Sequence, residues 1–179
     1  MESNKTSQKD IFERFQAKLE ELKETMPPLG RTPGTSCAAV TFTNILAVLN
    51  PEVFESFYFN NLAVPFSGFG SYVNDGGFKG PCGVVSGAIV AIGIIMGGQE
   101  EIKRENASLV FAKAMQFADK FEKKFDSVSC HDICGYDLRT NYKTYVKENI
   151  WEKKCCNFVL SAIELVMKLT RKDLKTKWQ

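Results

Sequence analysis

Gly80-Pro-Cys-Gly-Val-Val-Ser-Gly-Ala-Ile-Val-Ala-Ile-Gly-Ile-Ile-Met-Gly-Gly98 carries no charge, and Gln99 extends the uncharged run by one residue. A helix that is apolar all round belongs in a core or in a membrane. This run has about 16 apolar residues where a spanning helix takes about 20. It also opens on Gly-Pro and is rich in glycine. It reads as a buried central helix from Pro81 to Met96, closed by Gly97 and Gly98. Gly83, Gly87 and Ala91 recur every four residues and would let a neighbouring backbone come close. In lipid the same spacing would pair helices.

Working outward, Ser67-Gly-Phe-Gly-Ser-Tyr-Val-Asn-Asp-Gly-Gly-Phe-Lys-Gly80 reads as a glycine-rich loop leading into that helix. Upstream, Ile11, Phe12, Phe15, Leu19, Leu22 and Met26 follow the spacing of one helical face, which predicts an amphipathic helix over 8–26. Pro27, Pro28 and Leu-Gly-Arg-Thr-Pro-Gly end it in a loop. Thr35 or Ser36 caps a second helix that runs to Leu49. Pro51 suits the first turn of a third, to about Asn60.

Downstream, Val110, Ala114, Phe117, Phe121 and Phe125 mark a long helix over 100–125. A short helix follows at 130–134 with Gly135 as its C-terminal cap. Residues 136–150 show no clear pattern. The last helix runs from Trp151 to Leu174, with Phe158, Ala162, Leu165, Val166 and Leu169 inward. No segment alternates with a period of two. The expectation is an all-α compact bundle of about six to seven helices. Residues 1–35 form the N-terminal helix and loop, and 36–179 the main helical domain, in one globular unit.

The 179 residues suffice for a real core without disulfide staples. With 44% hydrophobic and 25% charged residues the composition is that of a soluble globular protein. A formal charge of +2 gives no reason to invoke nucleic acid or an anionic membrane. Lys168, Arg171, Lys172, Lys175 and Lys177 close a helix, where cations complement the dipole. The polar Met1–Gln8 lacks an apolar signal core, which predicts a cytoplasmic protein without a membrane span. There thiols stay reduced, and cysteines serve metals or catalysis more often than structural bridges.

The chain has six cysteines. Cys37 follows the caps Thr35 and Ser36, Cys82 follows Pro81, and Cys130 follows Ser129 in the capping pattern Ser-Cys-His-Asp. Each stands in the first turn of a different predicted helix. Free backbone N–H groups and a partial positive charge there favour anionic sulfur, as nucleophile or metal ligand. Cys155 stands in the second turn if Asn149 starts the last helix.

No Cys-x-x-Cys occurs, which removes zinc ribbons, thioredoxin motifs and ferredoxin runs. Cys134 shares a helix face with Cys130 and is a candidate additional ligand. Cys155 and Cys156 diverge on a helix, and apolar periodicity does not choose between them. His131 is the single histidine and, being adjacent to Cys130 on a helix, diverges from it. Gly68-Phe-Gly70 neither follows a strand nor opens a helix, which excludes a dinucleotide fingerprint.

In order along the chain stand Cys37-Ala-Ala-Val40, then Ser67-Gly-Phe-Gly70 followed by Cys82-Gly-Val-Val-Ser-Gly-Ala-Ile-Val-Ala-Ile-Gly93. Phe125-Asp-Ser-Val-Ser-Cys130-His-Asp-Ile-Cys-Gly135 and Cys155-Cys-Asn-Phe-Val-Leu-Ser-Ala-Ile-Glu164 complete the series. From Ser36 to Leu169 this arrangement resembles the C-GCAxxG-C-C family of redox-active proteins. A similar domain occurs in split-Soret cytochromes, where it accompanies an iron–sulfur centre.

The resemblance implies that Cys37, Cys82, Cys130 and Cys155 are cofactor ligands. Its register selects Cys155 over Cys156. The sequence departs from the pattern in the valine after Cys82-Gly, in a longer glycine loop and in the extra Cys134 and Cys156. The expected function is electron transfer through an iron–sulfur cluster of the 2Fe–2S type. A thiol–disulfide protein and a structural zinc module with four cysteine ligands are the alternatives. A redox partner is implied but not identified, a homodimer is an allowed assembly, and no substrate is legible.

Overall fold

The computed structural model describes residues 10–28, 35–54 and 57–179, with only the backbone of Pro51 and Val53. The expected helix residues 8 and 9 and the loop 29–34 lie outside the described residues. Helix α1 (Ile11–Thr25) opens on a capping box in which Asp10 accepts from Phe12 N and Glu13 reaches back to the Asp10 amide. Its buried face is Ile11, Phe15, Leu19 and Leu22, and it packs on α2 (Cys37–Leu49) and α9 (Cys156–Leu169).

The apolar run forms α5 (Gly83–Gly97). At about 1.5 Å per residue it is about 22 Å long, against a hydrocarbon thickness of about 30 Å. Among the described residues no helix is long and apolar enough to cross a membrane. Val84, Ala88, Ala91, Ile92 and Ile95 are fully buried, and α2, α4 (Phe57–Gly70), α6 (Arg104–Phe125) and α9 surround the helix. The small-residue spacing sets the closest of these contacts. A Cβ on Gly87 would stand 2.5 Å from the Ala38 carbonyl oxygen, so only glycine lets α2 lie this near.

The architecture is all-α, as expected, but more finely divided. The predicted third helix corresponds to α3 (Pro51–Phe54) and the start of α4, and residues 55 and 56 between them lie outside the described residues. Helix α4 runs through Ser67-Gly-Phe-Gly70, which was expected to be loop, and holds Pro65 in its interior. Gly70 serves packing rather than turning. A Cβ on Gly70 would meet the Pro81 oxygen at 2.6 Å, and one on Gly80 would run into the Phe69 oxygen. Tertiary packing against α2 and α5 outweighs the intrinsic cost of glycine and proline in a helix.

Helix α7 (Cys130–Cys134) has the predicted limits, with Ser129 as cap and Gly135 at φ +85°. Residues 136–150 contain α8 (Tyr142–Lys147). The expected last helix is three segments: a π-turn at Trp151–Cys155, then α9, then α10 (Arg171–Lys177) after a break at Thr170.

Candidate functional site

Four elements deliver sulfur to one place. Cys37 is the first residue of α2, where Ser36 Oγ accepts from Ala39 N at 3.2 Å. The adjacent free amide, Ala38 N, donates to Ser67 Oγ of α4 at 3.0 Å. One serine from each helix therefore satisfies the start of α2. Cys82 is the residue before α5 and Cys130 the first residue of α7.

A short antiparallel bridge holds these last two together. Cys82 N donates to Val128 O at 2.7 Å, and Cys130 N donates to Gly80 O at 3.2 Å. Outside the bridge, Lys79 pairs with Asp132, which Ser127 also contacts. This pairing, with weaker help from His131, holds the Asp132 carboxyl below its usual range.

Cys155 ends the π-turn. Such a turn adds a residue to the helical register and is frequent at functional sites. Asn149, at φ +55°, stands just before it. Lys154 reaches from the same turn to the Cys134 carbonyl at 3.1 Å. Because the turn runs straight into α9, Cys155 has no free helix start of its own, unlike the other three. It is buried nonetheless, and Tyr145 of α8 puts its hydroxyl 3.3 Å from the sulfur.

Cys37, Cys82, Cys130, Cys134 and Cys155 all line one cavity of about 280 Å³. Ser67, Ser71, Leu138, Tyr142, Tyr145 and Phe158 complete much of its wall. Cys156, half-buried, is not among the lining residues. Tyr142 and Tyr145 escaped the sequence reading because α8 had no legible pattern. Ser67 and Ser71 escaped it because they were assigned to a loop. The three-residue spacing of Tyr142 and Tyr145 on one helix face was the available signal.

The thiols are hydrogen-bonded to one another. Cys37 donates to Cys155, which, with burial and the charges of Cys82, Cys155 and Cys130, pushes the Cys37 thiol well above its ordinary value. Cys155 is held below its ordinary value by accepting from Cys37 and from Tyr145, against the effect of burial. Cys130 accepts from Cys134, which lowers it, but its own bond to Cys82 and its burial push it up on balance. Cys134 is raised by donating to Cys130 and by burial. The Tyr145 phenol is raised by burial and by the Cys155 charge beside it.

The lowered thiol values expected at helix starts are therefore not found for Cys37 and Cys130. Mutual crowding of sulfur and desolvation outweigh the helix termini. A buried thiol set of this kind resists holding several negative charges until positive charge enters among them.

Among the described residues no group of three or more His, Cys, Asp or Glu side chains stands ready to hold a metal ion. The sulfurs are soft donors that border one cavity; Cys82, Cys134 and Cys155 are buried, and Cys37 and Cys130 are half-buried.

A family model described as "Putative redox-active protein (C_GCAxxG_C_C)" matches residues 35–169. No curated protein and no solved structure matches the chain. The chain belongs to the C_GCAxxG_C_C family of redox-active proteins.

Proposed function

We propose that this member of the C_GCAxxG_C_C family transfers electrons through an iron–sulfur cluster of the 2Fe–2S type, held by the thiolates of Cys37, Cys82, Cys130 and Cys155. The observation that carries the reading is the placement of these sulfurs, from four elements, around one cavity of about 280 Å³. A single zinc ion would draw four sulfurs to about 2.3 Å from one point. A cavity bordered by sulfur suits a multi-atom group better than one ion. When bound, such a cluster supplies one-electron carriage, its potential set by charge, hydrogen bonds to sulfur and solvent exposure.

The chain's own residues act on all three settings. Tyr145 contacts the Cys155 sulfur. Phe158, Ile133 and Leu138 give the cavity an apolar wall. Cys134 stands as a fifth sulfur against Cys130, with Tyr136 N donating to it at 3.4 Å. Protein purified without oxygen should contain iron and acid-labile sulfide in equal amounts. Absence of both after reconstitution would sink the reading.

A second reading has one specific observation behind it. Cys37 and Cys155 share a hydrogen bond, which holds Cys155 toward the thiolate and Cys37 toward the thiol. That is the polarity of a nucleophile beside a resolving thiol. Thiol counting before and after mild oxidation decides it: a cycling pair loses two thiols per chain, and an unchanged count removes it. A zinc site would instead show zinc and unfolding on chelation.

A further inference from the structure

We propose that the outer face of α4 is where a second copy of this chain docks, forming a two-fold homodimer. Phe57, Tyr58, Leu62, Phe66 and Phe69, with Tyr72 and Phe78 from the following loop, are each between 36% and 70% exposed. Their rings touch in groups: Phe57 with Tyr58, and Phe78 with both Phe69 and Tyr72. At roughly 200 Å² for a full side chain of this kind, they leave roughly 700 Å² open. Monomeric surfaces seldom carry so large an apolar patch, and a stable interface takes about 800 Å² from each partner.

The occupant follows from charge and shape. No residue from Phe57 to Asn74 is charged, and of the charges flanking Phe78, Asp75 is acidic and Lys79 is paired with Asp132. The face therefore offers little to nucleic acid, an acidic peptide or an anionic headgroup. It matches another neutral apolar face, and a two-fold axis supplies an identical one.

Tyr58, Leu62, Phe66 and Phe69 form a ridge by helical spacing. Exposed Asn61, Pro65 and Gly68 form a lower row beside it. A Cβ on Gly68 would meet nothing within 4 Å, so the row is open. The ridge of one copy can seat in the low row of the other. Ser67 lines the thiol cavity from the opposite side of the same helix, with Ser71 just past its end, so the docked copy lies about one helix diameter, ~10–12 Å, from that cavity. The proposal does not depend on what the cavity holds.

Sedimentation velocity on the full chain, reduced and at micromolar concentration, tests it. The expected mass is twice that of the 20.1 kDa chain. Leu62→Glu and Phe69→Glu should each weaken self-association at least tenfold with the helical circular dichroism unchanged. Phe111→Glu, on exposed α6, should leave it intact. Asn61→Arg probes the low row at an already polar, exposed position and should weaken association likewise, which keeps the test open if a ridge variant fails to fold. A single-chain mass for the unmodified protein overturns the proposal, including one that floats with neutral phosphatidylcholine vesicles. So does a dimer that survives the Leu62→Glu, Phe69→Glu double variant, or one that disappears on reduction.

Discussion

The Tyr145 hydroxyl stands 3.3 Å from the Cys155 sulfur, with both residues buried. The phenol is held protonated by its burial and by the charge beside it, which leaves its hydroxyl able to donate to the Cys155 sulfur. Tyr145→Phe keeps the ring and its contacts with Tyr136 and Tyr142 but removes the donor. The expected loss is about 1 kcal/mol of stability in urea. If a cluster is held, its potential becomes more negative, because a hydrogen bond to sulfur is gone. Urea titration and a redox titration read the two effects separately.

Cys155 and Cys156 are neighbours with different surroundings. Cys155 lines the cavity, while Cys156 lies off it with its thiol pushed up to about 11, chiefly by burial. Cys155→Ser should abolish iron retention, and Cys156→Ser should leave it near the unmodified level. Iron analysis of both variants after identical reconstitution checks this. Equal loss in both would place the fourth ligand elsewhere.

Two glycines of α5 separate packing from propensity. Gly87→Ala sets a methyl 2.5 Å from the Ala38 oxygen and should cost about 1–3 kcal/mol by forcing α2 away. Gly93→Ala meets nothing within 4 Å and should stabilise by about 0.5–1 kcal/mol, the helix preference for alanine over glycine. Chemical denaturation of the pair should give shifts of opposite sign.

The C-terminal helix is anchored by one large side chain. Trp178 is buried, its Nε1 donates to Ile95 O at 3.0 Å, and its carbonyl accepts from Arg14 at 3.0 Å. Trp178→Ala should cost about 3–5 kcal/mol, loosening α10 from α5 and α1 together. Differential scanning calorimetry should show the lower melting temperature, with the thiol content unchanged.

What the sequence made legible was local chemistry. Ser36 and Ser129 cap helices, Gly135 ends one, and the uncharged run forms a core helix, because these depend on residues near each other in the chain. What it hid was decided at a distance. Ser67 and Ser71 reach the cavity only because α2 and α5 hold α4 in a helix that its proline and glycines disfavour. The π-turn before Cys156 begins at Trp151, whose Nε1 donates to Pro27 O at 3.0 Å, a residue 124 positions away. Helix starts were expected to lower thiol values; the opposing effect needed the knowledge that the sulfurs stand side by side.

The central claim is that these sulfurs hold iron and sulfide, and the most direct measurement is the visible absorption spectrum of protein made and kept without oxygen. The account predicts a coloured protein with sulfur-to-iron charge-transfer bands that bleach on addition of dithionite and return on reoxidation. A correctly folded protein that stays colourless after reconstitution with iron and sulfide would contradict it.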